Sequence, residues 1–118
     1  MKRIIIAGSR NFHDKALVLQ ALTEVTQGLN PSQIQIVSGG ARGADALGEE
    51  IAKQFNTNLA IFPAQWNIHG KSAGYLRNEL MAENADVLLA FWKDKSKGTN
   101  HMINLAVDYG LYTRVYEL

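Results

Sequence analysis

Three short segments concentrate the residue types that hold negatively charged oxygen. Ser38-Gly39-Gly40-Ala41-Arg42-Gly43-Ala44-Asp45 brings together three glycines, an arginine and a carboxylate between an apolar run and a helical pattern. Gly8-Ser9-Arg10 follows the first apolar run, and Lys97-Gly98-Thr99 precedes the last helical pattern. Glycine permits positive φ and lets a ligand approach the main chain closely. A loop that enters a helix start presents free N–H groups and the positive end of the helix dipole, which together suit phosphate. Arg10, Arg42 and Lys97 would add charge to such a cradle, Thr99 a further donor, and Asp45 or Asn78 a contact to ribose hydroxyls. Trp66 offers a stacking platform or a packing residue, whereas Trp92 reads as packing.

Two alternating periods supply the elements that must carry these residues. Arg3-Ile4-Ile5-Ile6-Ala7, Ile34-Gln35-Ile36-Val37, Leu59-Ala60-Ile61-Phe62, Asp86 to Trp92 and Tyr112 to Glu117 read as five strands. A first helix follows Asp14 as N-cap, with Leu17, Val18, Ala21, Leu22 and Val25 at helical spacing and Gly28 and Pro31 beyond its end. A second carries Ala44, Leu47, Ile51, Ala52 and Phe55 on one face; a third runs from about Ala73 to Asn84 and a fourth from about Thr99 to Tyr109. Regular alternation of strand and helix implies a three-layer, doubly wound α/β fold with a parallel sheet. The first and fourth strands are apolar throughout and belong at the centre. The fifth alternates and belongs at an edge, which gives the order 3-2-1-4-5 in a single domain spanning 1–118. Ligands of such sheets sit beyond the carboxyl ends of the strands, where the winding reverses.

The glycine segments fall at that end. So do Arg10, Arg42, Lys71, Arg77, Lys93, Lys95 and Lys97, seven of the twelve Lys and Arg residues. A formal net charge of +1 with one locally cationic rim suits a small anion bearing a ring and disfavours a bulk polyanion or nucleic acid. The absence of cysteine excludes disulfides, thiolate nucleophiles and cysteine-ligated zinc. His13, His69 and His101 match no metal-binding spacing, so no metal or other cofactor is expected. The Ile4–Ala7 run is too short for a signal peptide and no run approaches a membrane span, so a cytoplasmic protein is expected. Plainer roles remain open. Arg42 fits a solvated charge, Asp45 a helix cap, Arg77 a surface pair with Glu79 or Glu83, and the Lys93, Lys95, Lys97 run a solvated turn.

Taken in order, Gly8-Ser9-Arg10, Ser38 to Asp45, Ala73-Gly74-Tyr75-Leu76-Arg77-Asn78 and Lys97-Gly98-Thr99 resemble the YspA/YpsA-related branch of the SLOG superfamily over essentially the whole chain. That superfamily includes the Lonely Guy phosphoribohydrolases and DNA-processing protein A. The resemblance implies a Rossmann-like fold, a nucleotide or ADP-ribose-type ligand, and association into a homo-oligomer through helices. The third helix with Tyr109, Tyr112 and Tyr116 could supply such a surface. The phosphoribohydrolases place a glutamate three residues after the threonine of their glycine motif, where this chain has Met102. A nucleotide-binding module is therefore the first expectation. An N-glycosidase would use Arg77 to orient phosphate and Asp45 for acid–base work, since cleavage through an oxocarbenium-like centre needs a carboxylate. A single-strand DNA binder, with a basic groove and exposed rings, is the third.

Overall fold

Ile4, Ile5 and Ile6 are all fully buried, although successive strand residues point to opposite faces. Their strand, β1 (Lys2–Gly8), is covered on both sides, as is β4 (Val87–Trp92) beside it. The computed structural model describes residues 1–118 and places the strands in the order β3-β2-β1-β4-β5, all parallel, with β2 at Ile34–Ser38, β3 at Asn58–Ile61 and β5 at Tyr112–Glu117. Ile5 pairs with Val37 on one side and Leu88 on the other.

Alternation along β1 divides the core in two. Ile4 and Ile6 pack with Val18, Leu22 and Ile51 from helices α1 (Lys15–Val25) and α2 (Ala44–Phe55). Ile5 and Ala7 pack with Met81, Ala82, Met102 and Ala106 from α4 (Ala73–Glu83) and α5 (Lys97–Asp108). Each large buried side chain contributes about 1.5–3 kcal/mol. The two faces together fix the sheet's register, because a one-residue slip would exchange every β1 side chain between layers.

The expected order and edge position of β5 match the structure. Asp14 caps α1, its carboxylate accepting from the Leu17 N–H at 3.1 Å. Several local readings need correction. Trp66 is not in a plain loop: it opens a single-turn helix, α3 (Trp66–His69), in which the N–H groups of Ile68 and His69 both donate to the Gln65 carbonyl. Phe55 does not join the α2 core face; it stands 48% exposed at the helix end. Helix α5 starts at Lys97 rather than Thr99, so Lys97 and Gly98 lie in its first turn. Tyr116, half-buried on β5, stacks on Phe91 with ring centroids 5.1 Å apart. No helix is long and apolar enough to cross a membrane.

Candidate functional site

Where β1 and β4 part at their carboxyl ends, Ser9 holds them together. It is 3% exposed; its N–H donates to the Phe91 carbonyl, and its hydroxyl bonds both the Lys93 carbonyl and the Lys93 N–H. Ser96 Oγ reaches Thr99 Oγ1 at 2.7 Å, so the turn into α5 is anchored beside the same point. Across from it, Gly43 opens α2 with φ 78 and ψ −126. That backbone region is essentially restricted to glycine. A Cβ there would also strike the Ser9 carbonyl. Gly43→Ala is therefore expected to destabilise the fold by about 2 kcal/mol or more, read as a lower urea midpoint.

Gly39 is needed for a different reason. Its peptide is gripped from both sides. The N–H donates to Asp45 Oδ2 at 2.9 Å, and the carbonyl accepts from Arg77 Nη1 at 2.6 Å. A Cβ on Gly39 would lie 2.5 Å from Arg77 Nη1 and 2.7 Å from Asp45 Oδ2. Ser38, fully buried, sets this turn from below: its hydroxyl donates to Glu49 Oε2 at 2.6 Å and accepts from the Gly40 N–H at 3.1 Å.

Asp45 is 5% exposed in the first turn of α2. Burial pushes its carboxyl up to about 6, against the opposing pull of the Arg77 charge and the backbone donors of Ala41 and Gly39. Burial also lowers Arg77, which Asp45 partly offsets and nearby Arg10 reinforces. The neighbouring Asn78, 5% exposed, receives Arg77 Nε–H on Oδ1 at 2.9 Å and donates through Nδ2 to the Gly98 carbonyl at 3.3 Å. Asp45 is thus an interior group, and Arg77 is half-buried beside it. Asp45 does not act as the N-cap of α2, a place taken by Gly43, and Arg77 does not pair with Glu79 or Glu83.

These groups line a cavity of about 400 Å³ whose walls include Gly8, Ser9, Arg10, Ala41, Asp45, Arg77, Asn78, Gly98 and Thr99, with Lys93 and Asp94 at its rim. Two smaller hollows, about 290 and 190 Å³, share Arg10, Trp66 and Arg77 with each other. Gly39, Gly40 and Arg42 line the first, Lys71 and Gly98 the second. The two glycine turns therefore face neighbouring hollows, with Arg10 and Arg77 common to all three. Lys97 and Lys95 are exposed and line none of them, and Gly43 acts through backbone shape alone. Met102 is 1% exposed in the apolar layer with Met81 and Ala106, so its helix position faces the core. No three His, Asp or Glu side chains gather in metal-holding geometry.

The sequence reading missed the contacts that orient the site. His101 Nδ1 lies 3.1 Å from Asn78 Nδ2, Glu49 holds Ser38, and Asn11 donates to Asp94 at 2.8 Å. Partners 11 to 83 residues apart leave no local pattern to detect.

The Gene 61 protein of Mycobacterium phage D29 is 38% identical to this chain over 117 residues, covering 94% of this chain and 93% of that protein. Among solved structures, DNA processing protein A from Streptococcus pneumoniae superposes with a TM-score of 0.71 at 17% identity. The match covers 97% of this chain, which spans only 49% of that protein's length. TM1055, a structural-genomics target, gives a TM-score of 0.67 at 15% identity over 96% of this chain and 72% of its own. At such identities the structural likeness establishes the Rossmann-like fold alone. The family model for YspA, cpYpsA-related SLOG proteins matches residues 2–69, the part that contains Ser9, the Gly39–Gly43 turn and Asp45. By that match over more than half its length, the chain belongs to the YspA, cpYpsA-related SLOG family.

Proposed function

We propose that the chain binds a nucleotide-derived, phosphate-bearing small molecule, a mononucleotide or an ADP-ribose-type ligand, as a sensing or sequestering module. The observation that carries this reading is the convergence of Ala41 from the β2 turn, Gly98 and Thr99 from the start of α5, Arg10 and Arg77 on one cavity at the switch point of the sheet. Guanidinium groups match phosphate oxygens in both charge and geometry, and carry the recognition here because the Gly39 and Gly40 N–H groups are engaged by Asp45 and Ser38. Asp45, set deeper, would contact ribose hydroxyls, since the Asn78 amide is engaged by Arg77, Gly98 and His101. Membership of the SLOG family and likeness to a DNA-processing fold agree with a nucleotide-related role.

A second reading has one specific observation behind it. Asp45 is a buried carboxyl raised to about 6 at the cavity wall, the condition a general acid or base needs near neutrality. In that case the protein cleaves an N-glycosidic bond of a nucleoside monophosphate, with Arg77 holding phosphate and Asp45 exchanging the proton.

The test is thermal denaturation with AMP, ADP-ribose and NAD, together with chromatographic detection of released base. A binding module gives an upward shift and no release; a ligand at about 100 times its Kd adds about 2.7 kcal/mol. Arg42→Ala should weaken phosphate-bearing ligands about tenfold or more, because a charge-assisted hydrogen bond is lost, while the ligand-free melting temperature stays put. Base release abolished by Asp45→Asn favours the glycosidase. No response to any of these compounds, with tight and steeply salt-dependent binding of a single-stranded oligonucleotide, replaces both readings by a DNA-binding one.

A further inference from the structure

We infer that His101 is a positioning residue: its neutral ring, accepting at Nδ1, takes the remaining N–H of Asn78 and so holds in place the amide that seats Arg77 on the Gly39 turn. The proposal rests on the nucleotide-binding reading for its consequence, but its geometry stands apart from it.

Hydrogen-bond polarity fixes the Asn78 amide. Asn78 has two partners whose roles cannot change. Arg77 Nε can only donate, and the Gly98 carbonyl can only accept. The amide must therefore present Oδ1 to Arg77 and Nδ2 to Gly98. Turning it over would oppose Oδ1 to the Gly98 carbonyl and Nδ2 to the Arg77 N–H. With the amide so fixed, its remaining N–H points at His101 Nδ1, 3.1 Å away. That nitrogen must carry a lone pair, so the proton of the neutral ring sits on Nε2.

The ring is held for this role. Tyr75 packs edge-on against it, with centroids 4.5 Å apart and planes at 74°. Burial keeps the ring below the usual histidine range, opposed in part by the Glu79 carboxylate on α4. The other charges on the two helices are Arg77, reached through Asn78, Lys97 one turn earlier on α5, and Glu83 and Asp108 at the carboxyl ends of α4 and α5. A proton taken from solvent onto Nδ1 would set two donors against each other. Asn78 must then release either His101, which leaves the amide unbraced, or its two fixed partners, in which case Arg77 loses the bond that aims it at Gly39. The chain from Gly98 through Asn78 and Arg77 to Gly39 thus links the two glycine turns, and His101 braces it by taking the remaining Asn78 N–H.

The experiment uses the whole chain, with AMP as probe, in two parts. In the ligand-free protein, long-range proton–nitrogen NMR of the histidine rings should show His101 as the Nε2–H tautomer. Asn78→Asp, which can only accept, should raise the His101 titration midpoint by about one unit or more. AMP affinity is then followed with pH in the wild type, His101→Gln and His101→Leu. Gln retains a side-chain acceptor that does not titrate. It should keep near wild-type affinity at high pH and lose less as pH falls, by about fivefold or more at the acid end. Leu should bind about tenfold more weakly at high pH, where the wild-type ring is neutral. Asp45 and the AMP phosphate titrate in the same range, but they are common to all three proteins and cancel in the comparison. An Nδ1–H tautomer overturns the proposal, as does an unchanged midpoint in Asn78→Asp or an identical pH profile in wild type and His101→Gln. If AMP fails to bind at any pH while the tautomer and the shifted midpoint are found, the positioning role holds and the nucleotide reading falls.

Discussion

Arg77→Leu is expected to lower stability at neutral pH by about 3 kcal/mol, from two lost side-chain hydrogen bonds and the removal of the charge that favours the buried Asp45 carboxylate. Three things are lost at once. The Asp45 carboxylate, 5% exposed, keeps only backbone donors. The Gly39 carbonyl loses its side-chain donor, and Asn78 Oδ1 loses its partner. The double variant Arg77→Leu with Asp45→Asn should recover a large part of the loss, because an amide needs no countercharge. Arg77→Lys should fall between, since one ammonium cannot reproduce the fork that reaches Gly39 and Asn78 together. Urea unfolding at pH about 7 reads each midpoint and slope. Equal losses with and without Asp45→Asn would mean that Arg77 acts through its neutral contacts alone, and the electrostatic account of this site would be wrong.

The sheet order was legible because burial on both faces leaves a mark in the sequence: Ile4-Ile5-Ile6 and Val87 to Phe91 contain no polar residue to alternate with. Register followed from the same fact. The glycine turns were legible as glycine-rich segments between a strand and a helix, but the reasons for individual glycines were not. Gly43 answers to a backbone angle, Gly39 to two side chains that reach it from positions 45 and 77, and no local rule separates these cases. Lys97 shows the converse. Its place in the sequence beside Gly98 and Thr99 suggested a phosphate contact, yet the first turn of α5 begins early enough to leave it exposed outside the cavity walls. Asp45 and Arg77 were recognised as site candidates, but their burial depends on α2 and α4 approaching the β2 turn from opposite layers. The same holds for His101. Its Asn78 contact spans 23 residues between two helices that pack on each other, and only their relative rotation brings the two side chains together.

Asp45 should leave a signature in the stability curve as a function of pH. Its carboxyl is raised from 3.8 to about 6 in the folded protein. Between those values the native state retains a proton that the unfolded chain has released, so stability must fall as pH rises through the window and level off above it. The rise corresponds to about 3 kcal/mol, an order-of-magnitude figure for a group this deeply buried. Two other groups slope the opposite way. Asp86, held low by Arg3, supplies stability that disappears as pH falls through its folded value, below the Asp45 window. His101, held low by burial, makes stability rise with pH near the ordinary histidine range. The total curve mixes all three, but the difference between wild type and Asp45→Asn contains Asp45 alone. That difference should move in favour of the variant by up to about 3 kcal/mol between pH about 4 and about 7. Parallel curves would show that Asp45 titrates in the fold as it does in solvent. The same buried carboxyl also predicts proton uptake on ligation. A phosphate entering beside it adds negative charge and raises Asp45 further, so binding near pH about 6 should draw a fraction of a proton from solution. Calorimetry in buffers of different ionisation enthalpy measures that fraction, and Asp45→Asn should reduce it.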